Sequence, residues 1–289
     1  MTEYDRIVDG IRYPWATKDE ILEAMKTFEV REDDVWLITY RKSGNTWVQE
    51  IITVLFCGCD FTKRGEMDPK KRVSFVDLLK PGMTEFVHVT AAKKPSPRIM
   101  TTHLQSRHMP REIITKKPKI VYVARNPKDI AVSLYYFHKS NKLLKTFELW
   151  EEYFQAFYDG DLVGGSWFEM NLYWWNRRND DNVLFLKYED MKEDLASAIV
   201  KISEFLGWPV PEGKLEDVVK HCSFGQMKTN PILYWHTESA ILDDSKSPFM
   251  RKGLVGDWKN YFTVRQNEAF DKLYEKKMKG SGLEFRYEL

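Results

Sequence analysis

The chain of 289 residues predicts an α/β fold with a central parallel sheet flanked by helices, and three observations lead to this prediction. Four short apolar segments have the nearly continuous pattern of strands buried on both faces: residues 35–40, 98–103, 120–125 and 183–188. Helical segments follow most of these strands, and such alternation is typical of a parallel sheet. Neither a repeat nor a low-complexity stretch divides the chain, so we expect a single domain over residues 1–289.

The helices are predicted after the first, third and fourth strands: residues 46–56, 127–139 and 191–206. The second helix has a typical start, because Asn126 can cap it and Pro127 suits the first helical position. The third helix is expected to end at Gly207, which tolerates left-handed geometry. Beyond Ser223 the pattern is less regular and predicts long loops before a last helix over residues 264–278.

The charge of the chain is balanced, with 44 Lys and Arg against 43 Asp and Glu. This balance gives no global attraction to nucleic acid or to an anionic membrane, so we expect neither as a partner. The hydrophobic fraction of 43% is enough for a sizeable core and excludes a disordered chain. Any binding of anions must therefore come from the local placement of basic side chains.

The segments that would direct a protein to a membrane or out of the cell are not expected here. The first ten residues are acidic and polar, unlike a signal peptide, and no apolar stretch approaches the roughly 20 residues of a membrane span. Three cysteines, Cys57, Cys59 and Cys222, argue against a disulfide framework and for a reducing, cytoplasmic location. A metal site at Cys57 and Cys59 is the alternative, but no further ligands follow at a suitable spacing, so we predict no metal.

The first chemical signal is the segment 40–47, between the first strand and its helix. Lys42 supplies a mobile charge, Ser43 and Thr46 supply hydroxyl donors, and Gly44 lets the backbone approach an oxyanion. The segment is not a Walker A loop, because its lysine precedes the glycine and a second glycine is missing. It predicts a phosphate-binding loop, with an ordinary strand–helix turn as the alternative.

Two further basic positions predict contacts to anions. Arg125 ends the third strand, at the sheet edge where ligands bind in open α/β folds, and Ser133 lies two turns into the next helix. The alternative for Arg125 is a surface ion pair with Asp129. Arg251 and Lys252 stand beside a glycine in a predicted loop, for which the alternative is a solvated basic turn.

A histidine, His103, closes the second predicted strand. If the strands are parallel, His103, Lys42 and Arg125 emerge at one edge of the sheet. Because the ordinary pKa of histidine is about 6.5, such a residue can act as a general base near neutral pH. The alternative is a histidine whose hydrogen bonds are satisfied inside the core.

Taken in order, these motifs resemble those of the cytosolic sulfotransferases over nearly the whole chain. Residues 39–47 are similar to the phosphosulfate loop T-Y-P-K-S-G-T-T-W of that family, and residues 122–129 with Ser133 are similar to its 3′-phosphate motif. The remaining likenesses are residues 188–192 to Y-E-D-M-K, residues 251–258 to R-K-G-x-x-G-D-W, and residues 259–268 to the dimerisation signature K-x-x-x-T-V-x-x-x-E.

The resemblance implies the P-loop-like sulfotransferase fold and an enzyme of EC 2.8.2 type. Its donor would be 3′-phosphoadenosine 5′-phosphosulfate and its product 3′-phosphoadenosine 5′-phosphate (PAP). The sulfuryl group would pass to a hydroxyl or amine of a small, mostly apolar acceptor, as in small-molecule or xenobiotic metabolism. The family's short interface implies a weak homodimer through the segment from Lys259 to Glu268.

The resemblance also implies roles for single residues. His103 would be the general base facing the acceptor, and Lys42 would offset the charge that develops on the leaving phosphate. The 5′-phosphosulfate would be held by Lys42, Ser43, Gly44, Asn45 and Thr46. The 3′-phosphate would be held by Arg125, Ser133, Arg251, Lys252 and Gly253. The adenine would be contacted by Trp47, Phe224 and Tyr188.

The acceptor pocket is less well defined by the sequence. Phe75, Leu78 and Phe137 occupy places where related proteins line this pocket with apolar side chains, and Phe137 shares a helix face with the predicted phosphate-binding serine. Ordinary core packing is the alternative for each of the three. A lid is expected around Tyr234 and Trp235.

Four positions depart from the family pattern: Arg41 replaces a proline, Asn45 a threonine, Thr101 a lysine and Gln105 a proline. Since Asn45 can donate a hydrogen bond and can cap a helix, we expect donor binding to persist. The lysine that Thr101 replaces is thought to help polarise the transfer, so a donor-binding protein with little or no turnover is the alternative function. A nucleotide kinase or NTPase is a further alternative, which the missing Walker A loop disfavours.

Overall fold

The structure, a computed structural model, describes residues 5–67, 73–79, 85–230 and 241–289. Its strands are β1 (Asp5–Val8), β2 (Ile11–Pro14), β3 (Val35–Thr39), β4 (Ser74–Phe75), β5 (Ile99–Thr102), β6 (Lys119–Ala124) and β7 (Val183–Lys187). Five of them form a sheet of order β4-β5-β3-β6-β7 in which every neighbouring pair is parallel. A separate antiparallel hairpin is formed by β1 and β2.

The helices lie mainly in the connections between these strands. They are α1 (Asp19–Lys26), α2 (Asn45–Phe56), α3 (Phe61–Glu66), α4 (Val87–Ala92), α5 (Glu112–Thr115), α6 (Pro127–Ser140), α7 (Trp150–Asp159), α8 (Trp167–Trp175), α9 (Tyr188–Glu193), α10 (Leu195–Leu206), α11 (Leu215–His221), α12 (Phe224–Thr229) and α13 (Val264–Met278). Two 3₁₀ turns cover Ser106–His108 and Asp257–Asn260.

The central strand β3 is buried at every position and separates two apolar layers. Trp36 and Ile38 belong to the layer covered by α6, α7 and α8, whereas Val35 and Leu37 belong to the layer covered by α2 and α10. This alternation is expected where successive side chains of one strand point to opposite faces of a sheet. The predicted α/β fold, a parallel sheet with helices on its faces, is confirmed.

The four predicted strands lie within one residue of the observed ones at each end. The residues that follow their carboxyl ends, Tyr40, His103, Arg125 and Tyr188, therefore meet at one edge of the sheet. The sequence did not predict β4, which has only two residues and so no recognisable pattern. It also missed the hairpin of β1 and β2.

The helix ends follow the chemistry of their capping residues. Asn126 caps α6 by accepting a hydrogen bond from the backbone N–H of Asp129 at 2.8 Å, and Gly207 ends α10 with a φ of 73°. The prediction of a single helix over residues 191–206 is wrong, because two helices, α9 and α10, cover this segment. Asp194 separates them and caps α10 by accepting a hydrogen bond from the N–H of Ser197 at 2.9 Å.

Candidate active site

The loop between β3 and α2 is shaped by two residues in left-handed conformation. Lys42 has a φ of 68° and Gly44, at the N-cap of α2, a φ of 102°. A side chain on Gly44 would meet the ring of Tyr188, since a Cβ there would lie 3.0 Å from its Cδ2. Among the described residues, the buried hydroxyl of Ser43 has no hydrogen-bond partner. Free N–H groups at the start of α2 and this hydroxyl are suited to bind an anion, as the sequence predicts.

Lys42 lies in a cavity of about 270 Å³ that is lined by residues of both the predicted donor site and the predicted acceptor site. Its Nζ stands 4.6 Å from the ring centroids of both Phe137 and Phe249. Burial, followed by the charges of Arg125 and Arg251, lowers the pKa of Lys42 to about 7. An anion bound beside Lys42 would relieve this repulsion and stabilise the cationic form.

Arg125 reaches across the same cavity from the end of β6. Its guanidinium donates to the carbonyl oxygens of Lys42 and Leu254, each at 3.1 Å, and lies 4.3 Å from the ring centroid of Tyr188. The buried Nε of Arg125 has no hydrogen-bond partner. The alternative of an ion pair with Asp129 is wrong, because Asp129 instead accepts hydrogen bonds from backbone N–H groups of the C-terminal segment.

Those bonds to Asp129, from the N–H groups of Gly256 and Trp258, hold the C-terminal segment against α6. Just before this anchor, Arg251 and Lys252 both pair with Asp257 at 2.6 Å. Both basic side chains line the cavity, as does Ser133 on α6. Two cations share one carboxylate, so the cluster keeps an excess positive charge next to Ser133.

A flat, aromatic part of the cavity adjoins this cluster. Trp47 is fixed by a hydrogen bond of 2.8 Å from its indole N–H to the carbonyl of Cys222, and its ring meets Tyr188 edge-on at 5.4 Å. Phe224 packs directly under Gly253, where a Cβ would overlap its ring. The position of Gly253, with a φ of 64°, therefore depends on having no side chain.

Lys192 also belongs to this part of the cavity, although the sequence assigned it no role. Its Nζ lies 5.8 Å from the ring centroids of both Trp47 and Phe224, so the two rings border one space. Lys192 belongs to the motif over residues 188–192, whose Tyr188 was predicted to contact the adenine, so the motif could have indicated that Lys192 also lies at the site. Burial and the charge of Arg125 lower its pKa.

His103 follows β5 and its ring is held in one orientation. Nδ1 lies 2.8 Å from the carbonyl oxygen of Thr39, which can only accept, so Nδ1 carries the proton and Nε2 is left as the basic atom. The ring of Phe75 packs edge-on at 5.0 Å. Burial, followed by the charge of Arg41, lowers the pKa of His103 to about 3, so the ring is neutral at physiological pH.

The remaining predicted acceptor residues line the same cavity. Phe75, Leu78 and Phe137 all contribute to its wall, rather than only to the packed core. Leu79 and Phe249 join them, and the sequence did not point to either, because their approach depends on loop conformation. The lid predicted around residues 234 and 235 lies outside the described residues.

The departures from the family pattern have specific contacts. Thr101 donates to Oδ1 of Asn45 at 2.9 Å, so two of the replaced positions bond to each other. The Asn45 side chain makes no capping bond; Gly44 is the N-cap residue of α2. The amide of Gln105 donates to the carbonyl of Gly164 at 2.5 Å. Thr101 and Gln105 each lie two residues from His103 in the chain.

Within the part of the chain that the structure describes, no group of three or more His, Cys, Asp or Glu side chains could hold a metal ion. The helices of that part are all too short or too polar to cross a membrane. Among the described residues, no disulfide involves Cys57, Cys59 or Cys222.

The fold and the cavity together define a class of protein. One cavity is lined by basic groups, by apolar side chains and by the neutral His103, a combination that suits a group-transfer enzyme with a phosphate-bearing donor. Comparison with known proteins identifies the family. A family model, the sulfotransferase domain, matches residues 32–282, and the chain therefore belongs to the sulfotransferase family. The predicted sulfotransferase enzyme is thus confirmed.

Characterised relatives and solved structures agree with this assignment. Sulfotransferase 1B1 of Canis lupus familiaris is 41% identical over 92% of this chain and 90% of its own length, and sulfotransferase 1C2 of Homo sapiens is 41% identical over 98% and 95%. Mouse sulfotransferase SULT7A1, solved with PAP, superposes with a TM-score of 0.80 at 33% identity, over 96% of this chain and 95% of that one. Retinol dehydratase, solved with retinol and PAP, gives 0.85 at 25% identity, over 96% and 90%.

Proposed function

We propose that this enzyme transfers the sulfuryl group of 3′-phosphoadenosine 5′-phosphosulfate to a hydroxyl or amine of a small, mostly apolar acceptor. One observation carries the proposal. A single cavity is lined by the Lys42 loop, the basic cluster, apolar side chains and His103, whose Nε2 is the basic atom of its ring. Sulfuryl transfer is the reaction of the family to which the chain belongs.

The described residues fit the donor. The loop hydroxyl of Ser43 and Nε of Arg125 are buried without hydrogen-bond partners, and phosphate oxygens would satisfy them. We assign the 5′-phosphosulfate to Lys42, Ser43, Gly44, Asn45 and Thr46. We assign the 3′-phosphate to Arg125, Ser133, Arg251, Lys252 and Gly253. We assign the adenine to Trp47, Phe224 and Tyr188. Structural neighbours solved with PAP support this arrangement.

The proposed chemistry needs one base and one cation. The acceptor oxygen or nitrogen forms its bond to sulfur as the bond from sulfur to the 5′-phosphate oxygen breaks, and the acceptor proton passes to Nε2 of His103. Burial and the charge of Arg41 keep His103 neutral, so Nε2 has a free lone pair for this proton. Lys42 stabilises the negative charge on the departing phosphate, because a desolvated cation acts strongly in a site that excludes water.

The acceptor would enter between apolar walls. Phe75, Leu78 and Phe137 border the space in front of His103, and the edge-on packing of Phe75 against His103 suits a flat or apolar molecule. Retinol dehydratase was solved with retinol and with androsterone. Both molecules are small and mostly apolar, which supports an acceptor of this size for the present enzyme.

The test is incubation with ³⁵S-labelled donor and a panel of phenols, alcohols and amines, using wild-type protein and His103→Ala. We expect labelled product from the wild type and a loss of about 10²–10⁴-fold in turnover for the variant, the usual contribution of general acid–base catalysis. PAP affinity, measured by calorimetry, should be unchanged in the variant. Donor binding with no product across the panel would instead identify the donor-binding alternative, which the replacement of a lysine by Thr101 motivates.

We also propose a weak homodimer in the cytoplasm. The segment from Lys259 to Glu268 contains Val264, which is 76% exposed at the start of α13, where Thr263 forms a capping box with Gln266. A rigid helix start that presents an apolar side chain suits a small, self-complementary contact. Sedimentation at micromolar concentration should show a dimer that Val264→Asp weakens, and a monomer for both proteins would contradict the proposal.

A further inference from the structure

Arg41 is a buried cation without a partner. Its side chain is only 7% exposed, its Nε has no hydrogen-bond partner, and within the described residues no carboxylate forms an ion pair with it. Burial lowers the pKa of Arg41, and the charge of Asp77 is the main opposing effect, although the two side chains form no ion pair among the described residues. Asp77 is itself buried, with one carboxylate oxygen unpaired. A buried guanidinium without an ion pair destabilises the fold unless a ligand supplies the opposite charge and the hydrogen-bond acceptors.

The position of Arg41 places this cation on the acceptor side of the cavity. Its side chain lies over the backbone of Gly164, where a Cβ would come within 3.6 Å of Cδ. It lines the cavity together with Phe75 and Leu78. Its charge acts on His103, whereas the charges that act on Lys42 are those of the donor-side arginines. Arg41 is thus not among the arginines whose charge acts on Lys42.

We propose that Arg41 recognises a carboxylate on the acceptor, so that the preferred acceptor carries a carboxylate in addition to its hydroxyl or amine. This proposal rests on the proposed function of the site. The planar fork of a guanidinium matches a carboxylate with two parallel hydrogen bonds, and a dry, apolar surrounding strengthens them. The apolar walls would hold the body of the molecule, while Arg41 and His103 would hold its two polar ends.

The matched acceptors for the test are 4-hydroxyphenylacetic acid and its methyl ester, which differ in charge and share the phenol. The preference of the wild type is the ratio of kcat/KM for the acid to that for the ester. We expect Arg41→Gln to lower this ratio by about 10- to 100-fold, as expected for the loss of charge-assisted hydrogen bonds. Arg41→Lys, which keeps the charge, should lose less. The control Arg107→Gln, at an exposed arginine paired with Glu169, should keep the wild-type ratio.

A second measurement reads recognition without turnover. Calorimetric titration of both acceptors into PAP-loaded protein should show tighter binding of the acid by the wild type, and equal binding of both by Arg41→Gln. Equal binding of acid and ester by the wild type would overturn the proposal, whether or not the variants fold. So would an equal fall in kcat on both acceptors with an unchanged ratio, since Arg41 would then act on the transferring group. Acid-selective binding that depends on Arg41, with no labelled product, would keep this inference and refute only the proposed reaction.

Discussion

The titration of Lys42 offers a quantitative test of the donor site. Its pKa of about 7, set by burial and two neighbouring arginines, makes it a cation at pH 6 and a neutral amine at pH 9. The cation is therefore present below pH 7 and is lost as the pH rises through 7. A phosphate-bearing ligand that needs this cation must bind more weakly as the pH increases.

The size of the effect follows from this pKa. For a ligand that binds only the charged form, the observed Kd scales with one plus ten to the power of pH minus pKa, so it rises by about 90-fold between pH 6 and pH 9. Arginine stays charged over this range, so Arg125 and Arg251 contribute no such slope. The pH dependence thus separates Lys42 from the arginines of the site.

The assay is calorimetric titration of PAP at pH 6, 7, 8 and 9 into the wild type, Lys42→Arg and Lys42→Met. The Kd of the wild type for PAP should match that of Lys42→Arg at pH 6 and approach that of Lys42→Met at pH 9. Because the phosphates of PAP titrate equally in all three experiments, their contribution cancels in ratios of Kd. A ratio of wild type to Lys42→Met that stays constant from pH 6 to pH 9 would refute the assigned pKa or the contact with the donor.

Two further predictions concern backbone shape and the paired replacements. Gly253→Ala should weaken PAP binding by at least tenfold because its Cβ would overlap the Phe224 ring, whereas Gly213→Ala, at a φ of 74° with open space around it, should only lower the thermal midpoint; equal PAP affinities for the two would contradict this. Thr101→Lys should raise kcat more in an Asn45→Thr background than in the wild type, because the lysine alone would leave the Asn45 amide oxygen without the Thr101 hydroxyl. In a double-mutant cycle of the four proteins, we expect a coupling energy of about 0.5–3 kcal/mol. Additive effects of the two substitutions on kcat would contradict this prediction.

Much of the donor site was predictable because it follows strand ends. Apolar runs give the strands to within one residue, and in a parallel sheet the next residues must meet at one edge. Lys42, His103 and Arg125 are therefore brought together by topology alone, and the structure gathers them around one cavity. Residues that reach the cavity from loops, such as Phe249, carry no comparable local pattern.

Contacts between distant replaced positions could not be predicted from local patterns. Asn45 suits the end of a helix by itself, yet its side chain accepts a hydrogen bond from Thr101, 56 positions away. In the same way Asp194 looks like any polar residue inside a helical pattern, but it breaks the helix because its carboxylate caps the next one. In both cases a polar side chain with two possible partners takes the one that tertiary packing supplies.

Two of the replaced positions, Arg41 and Gln105, meet at the same loop around Gly164. Gln105, in place of a proline, donates to the carbonyl oxygens of Gly164 and Ser166. These bonds fix the loop against which the Arg41 side chain packs. Proline has no side-chain donor, so it could not hold this loop in the same way. The chain thus gains a buried cation and the support for it through the replacements at positions 41 and 105, on the side of the cavity proposed for the acceptor. Because the acceptor is proposed to present its nucleophile to His103 on that side, we expect these two replacements to bear on acceptor choice, whereas the replaced Asn45 belongs to the proposed phosphosulfate loop.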